Sequence, residues 1–89
     1  MPEILRIFGM RFFFYSREHE PIHVHVKNAD GKAKFEITTD SVTLVYNHGL
    51  KNKDIHAAEM VLEENKELAI AKWIEYFGHS IEGGENEDY

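Results

Sequence analysis

The chain has 89 residues, 43% of them hydrophobic and 12% aromatic, which places it with single folded domains and apart from disordered chains. It has no cysteine, so disulfides, thiolate metal sites and thiol nucleophiles are excluded, in keeping with a reducing cytoplasm. The net charge of -6 is concentrated after Gly78, where Glu82, Glu85, Glu87 and Asp88 have no Lys or Arg among them. What precedes the tail is near neutral, without the basic excess of a general nucleic-acid binder, but leaves room for a local basic patch.

In chain order, Ile4 to Phe8 reads as a first strand, and Gly9-Met10 as a two-residue turn with glycine at its first central position. Arg11 to Ser16 returns as a second strand, apolar on both faces, which suits a mid-sheet position with one face under a helix. Arg17 to Pro21 is a charged loop, and Pro21 suits the approach to an edge strand. Ile22 to Lys27 alternates, with Ile22, Val24 and Val26 on one side and His23, His25 and Lys27 on the other.

Asp30-Gly31 signals a hairpin to Lys32–Thr38, which alternates as well. A two-residue Asp30-Gly31 loop would set Val26 against Phe35, His25 against Glu36, His23 against Thr38 and Lys27 against Lys34. Ser41 to Tyr46 reads as a shorter fifth strand and Asn47-His48-Gly49 as a turn. Asn52 could cap a helix over Lys53–Phe77, ended by Gly78. At ~1.5 Å per residue that helix would span about 38 Å, so a bend or break is expected at Glu63-Glu64-Asn65-Lys66-Glu67. The fold class that follows is α+β: a four- to five-stranded antiparallel sheet of two hairpins, covered by one long bent helix or two C-terminal helices. Residues 1–78 form the domain and 79–89 an acidic, mobile tail.

The chemistry of the chain is concentrated in Glu18-His19-Glu20-Pro21-Ile22-His23-Val24-His25-Val26, which holds half of the six histidines. His23 and His25 stand at i and i+2 of a strand, so their rings point the same way. One reading is a metal site for zinc or another divalent cation, with His19 as a third ligand and Glu18, Glu20 or Glu36 completing it. A second is metal-independent acid–base chemistry on a phosphodiester: His23, His25 and Glu36 would exchange protons while Lys27 and Lys34 hold the anion. A third is that these are the ordinary solvated residues of an exposed sheet face. His48, His56 and His79 read as turn and surface residues, and Trp73, Tyr76 and Phe77 as core. No nucleotide-cofactor fingerprint is present, and no run approaches the ~18 apolar residues of a membrane span. No basic-then-apolar leader opens the chain, so a cytoplasmic location is expected.

Several of these segments together resemble one family. Ile4-Leu5-Arg6-Ile7 before the aromatic strand, Glu20-Pro21 leading into His23-Val24-His25-Val26, Ala33-Lys34-Phe35, Asn47 and Gly49, and Val61-Leu62-Glu63-Glu64-Asn65 running to Trp73 and Phe77-Gly78 are similar to the domain-of-unknown-function 4160 family over about residues 1–78. Ile22 stands where the family often has a second proline, Glu36-Ile37 where another aromatic is common, and the acidic tail is extra. The resemblance implies a small bacterial or archaeal cytoplasmic protein, often encoded beside a member of the uncharacterised family 2442 in a toxin–antitoxin-like arrangement. The family's recurring histidine pair maps onto His23 and His25.

Two functions are therefore expected. One is a protein-binding component of such a two-gene module, docking a small partner by a sheet face or edge. The other is a ribonuclease-like or metal-dependent hydrolase working through the paired histidines. RNA is a conceivable partner; DNA and membranes are not expected.

Overall fold

The computed structural model describes residues 2–78. Five strands are followed by two helices: β1 (Glu3–Ile7), β2 (Met10–Phe13), β3 (His23–Lys27), β4 (Lys32–Ile37), β5 (Val42–His48), α1 (Asn52–Glu64) and α2 (Lys66–Phe77). The sheet is a meander, β1-β2-β3-β4-β5, antiparallel throughout. This is the expected α+β architecture, in its two-helix form. The acidic segment 79–89 lies outside the described residues.

The first turn differs from the expected one. Ile7 pairs with Met10, so Phe8 and Gly9 occupy the loop, with φ of 57° and 75°. Two positive φ values in a two-residue hairpin belong to a type I′ turn. Met10 is fully buried as the first residue of β2, and removing it from the turn places its side chain in the core.

β3 is the middle strand of the sheet, paired on both sides, and not the edge strand that Pro21 suggested. The β3–β4 register also differs: Val24 lies opposite Phe35, His23 opposite Glu36, His25 opposite Lys34 and Lys27 opposite Lys32. The turn sits one residue earlier than Asp30-Gly31, because Asn28 closes it. The Asn28 side-chain oxygen accepts from the backbone N–H of Asp30 (2.8 Å) and of Gly31 (3.2 Å), while the Asn28 N–H donates to the Gly31 carbonyl (3.0 Å). This is an Asx turn. Moving the turn by one residue shifts the pairing by two, so every side chain keeps its face.

β5 is longer than expected, running through Asn47 and His48, with a bulge where the register shifts opposite Lys34 and Phe35. The Asn47 side chain then bonds both backbone groups of Leu50, at 2.9 Å each, and turns the chain toward α1. Lys51, not Asn52, is the residue before the first helical turn, and it contributes no side-chain cap.

One face of the sheet carries Met10, Phe12, Phe14, Val24, Val26, Ala33, Phe35 and Ile37, all buried. Against it α1 presents Ile55, Ala58, Val61 and Leu62, a stripe at helical spacing, and α2 presents Ala69 and Trp73. The helical break falls within the expected polar stretch, at Asn65 (φ -124°, ψ 24°), whose side-chain amide donates to the Val61 carbonyl at 2.7 Å. Gly78, at φ 77°, ends α2 with its N–H on the Ile74 carbonyl at 2.7 Å.

Candidate functional site

The longest connection in the described chain runs from Phe14 to Ile22 between β2 and β3. It brings Tyr15 and Glu18 onto the paired histidines. The Tyr15 ring lies 4.3 Å from that of His25, and Phe13 stacks on the same imidazole at 5.7 Å. His23 has Trp73 at 5.3 Å. These aromatic walls explain why two polar residues on the outward face are only 7% (His23) and 6% (His25) exposed.

Glu18 lies at the centre. Its Oε2 lies 2.8 Å from His23 Nε2 and 2.8 Å from His25 Nε2, and its Oε1 accepts from the Tyr15 N–H at 3.1 Å. Burial alone pushes this carboxyl up. Hydrogen bonds from His23 and His25, with the attraction of their positive charge, together outweigh burial and hold it at about 2, against an ordinary 4.5.

The other nitrogen of His23, Nδ1, faces the Pro21 carbonyl at 2.8 Å. A carbonyl only accepts, so Nδ1 carries a proton. A neutral imidazole has no second proton for Glu18. His23 therefore either holds both protons as an imidazolium or offers a bare Nε2 to a cation shared with the carboxylate. The second arrangement, with Nδ1–H pinned to a backbone carbonyl, is how proteins commonly orient a metal-ligating histidine.

The donor atoms of Glu18, His23 and His25 all lie within 4.8 Å of one another. Two imidazoles and one carboxylate form a donor set suited to zinc and related divalent ions. The present 2.8 Å separations are hydrogen-bond lengths. Metal bonds of about 2.0–2.1 Å in a tetrahedral site would open them to about 3.3 Å, a movement of half an ångström.

The remaining residues singled out from the sequence lie around this centre. His19 is exposed and Glu20 half-buried, and neither joins the cluster. Glu36 is half-buried directly across from His23, and among the described residues its side chain makes no hydrogen bond or ion pair. Lys34 lies across from His25, whereas Lys27 faces Lys32, so Lys27 and Lys34 do not oppose each other. The alternation of β3 and β4 identified the histidine face. The roles of Tyr15 and Trp73 in walling it had no local signal, because they depend on how the loop and α2 close.

The low Glu18 value has a consequence in acid. A carboxyl whose folded pKa lies below its unfolded one stabilises the fold fully above about 4.5, and that contribution disappears as pH falls toward about 2. With allowance for solvent screening it amounts to on the order of 2 kcal/mol. Urea unfolding near neutrality and near pH 3 should show wild type losing more stability in that window than Glu18→Gln. Parallel losses would contradict the placement of Glu18.

A family model, the domain of unknown function DUF4160, matches residues 9–74. The chain belongs to this family. No curated protein and no solved structure matches it. Among the described residues no helix is long and apolar enough to cross a membrane.

Proposed function

We propose that the domain binds one divalent cation of the zinc class through Glu18, His23 and His25, and that this centre supports metal-dependent hydrolysis. The observation that carries the reading is the convergence of three ligand atoms, two from β3 and one from the connection just before it. Three protein ligands leave a fourth position for water, whose pKa such an ion lowers toward neutrality. Glu36 and Lys34, the cross-strand partners of His23 and His25, are the charged candidates for a role beside that water. The ion would also tie the Phe14–Ile22 connection to the sheet.

Zinc titration by calorimetry should give one ion per chain. His25→Ala should weaken binding by about 100-fold or more, while His19→Ala leaves it unchanged. Wild type that takes up no zinc, or a His25→Ala variant that binds equally well, would refute the proposal.

A second reading, the protein-binding half of a two-gene module, draws support from β5. It is an edge strand with Leu44 and Val45 exposed, and a partner's strand could extend the sheet there. Co-purification with the neighbouring gene product, lost on Val45→Pro, is the outcome that reading requires.

A further inference from the structure

The observed register produces a feature that the expected pairing would not have produced. Arg6 pairs with Arg11, Arg11 with Lys27, Lys27 with Lys32 and Lys32 with His48. One cross-strand row thus carries a basic residue on each of the five strands, all on the face away from the helices. At about 4.8 Å between strands, the row is about 19 Å long. Lys34 adds a further cation in the next row, beside His25.

Like charges directly opposite one another destabilise a sheet, so such a row costs stability unless an anion lies along it. Carboxylates on this face do not neutralise it. Glu3 binds Arg6 at 2.9 Å and approaches Arg11 at 3.8 Å, at one end only. Lys27, Lys32 and Lys34 have no ion-pair partner among the described residues. Arg6, Arg11 and Lys27 line an open cleft of about 350 Å³ together with Gly9, Asn28 and Ala29. The Arg11 guanidinium sits 5.1 Å from the centre of the Phe13 ring. At the other end of the row, Tyr46 and His48 stack at 4.6 Å and 25° on the same face.

We infer that this row is a track for the phosphates of a single-stranded nucleic acid, with Tyr46 and His48 as the surface on which an unpaired base stacks. A basic line with an aromatic platform beside it is the combination that sequence-tolerant single-strand binding uses. A duplex keeps its bases stacked inside and gives Tyr46 and His48 nothing to cover. The inference is independent of the metal centre, since the row contains none of Glu18, His23 and His25.

The test is fluorescence anisotropy with a labelled oligouridylate of about twelve nucleotides, with chelator present so that metal loading plays no part. Wild type should bind at about 50 mM salt and weaken steeply toward about 200 mM. Lys27→Ala with Lys32→Ala, both exposed positions, should weaken binding at least about ten-fold and flatten the salt slope by about 1.4, about 0.7 for each lost phosphate contact. Tyr46→Ala should cost about five-fold or more at unchanged slope. No binding at low salt, equal affinity of the double variant, or equal competition by duplex RNA would overturn the proposal. With chelator present this assay reads the oligonucleotide alone, and zinc calorimetry reads the metal centre alone, so failure here and failure of the metal reading are separately visible.

Discussion

Trp73→Ala is expected to lower stability by about 3–5 kcal/mol, the largest loss for a single side chain in this fold. Trp73 is wholly buried, with Phe14 at 5.2 Å, Phe77 at 4.5 Å and His23 at 5.3 Å. Truncation would open a cavity where α2, the sheet core and the histidine cluster meet. In a domain of this size each kcal/mol shifts Tm by roughly 4–8 °C, so the melting point should drop by at least about 12 °C. Trp73→Phe should behave differently. The indole Nε1 has no hydrogen-bond partner, so the smaller ring removes an unsatisfied buried donor along with some contact. Its cost should stay under about 1.5 kcal/mol. Paired urea titrations of the two variants separate cavity from polar effects. Similar costs for both would show that the contact is not set by volume.

Gly31→Ala should be the next most damaging change, at about 3 kcal/mol or more. A Cβ on Gly31 would run into the backbone carbonyl oxygen of His48 and lie 2.8 Å from the Gly49 Cα. A Cβ on Gly49 would reach the Asp30 carbonyl oxygen at 2.6 Å. The β3–β4 loop and the end of β5 thus meet backbone to backbone, with no room for a methyl group between them. Gly9 is the control. It has φ of 75° but nothing within 4 Å of its would-be Cβ, so alanine there should cost only the left-handed conformation, about 1 kcal/mol. Equal losses at Gly31 and Gly9 would mean that the loop yields freely.

The same two glycines show where a sequence reading stops. Alternation in Ile22–Lys27 and Lys32–Thr38 assigned every side chain to the correct face, because face depends only on the parity of position. It could not choose between registers two residues apart, which have the same parity. The choice was made by the Asn28 side chain capping its own turn and by the close approach of Gly31 to β5. Neither leaves a periodic trace. The break at Asn65 was legible from the polar run around it. Its effect was not: Leu68 and Ile74 are more than a third exposed, and α2 buries Ala69 and Trp73. At the site, the pair His23 and His25 stood out by spacing. Glu18 was one of three nearby carboxylates, and only the path of the Phe14–Ile22 connection distinguishes it from Glu20 and Glu36. The basic row was hidden for the same reason as the register, since four of its five members lie on strands whose alignment the sequence leaves open by two.

The meander order bears on how the chain finds this structure. Each strand pairs with its neighbour in sequence, and the β1–β2, β3–β4 and β4–β5 connections have two, four and four residues. Contact order is therefore low for a sheet protein, and folding should be fast for its class, nucleated at the hairpins. The exception is the nine-residue Phe14–Ile22 connection, whose closure carries the largest loop entropy in the sheet. It is also the segment that delivers Glu18 to His23 and His25. Ordering of the site should thus follow formation of β3, β4 and β5, and amides of this connection should exchange with solvent by local opening while the hairpin beneath them stays protected.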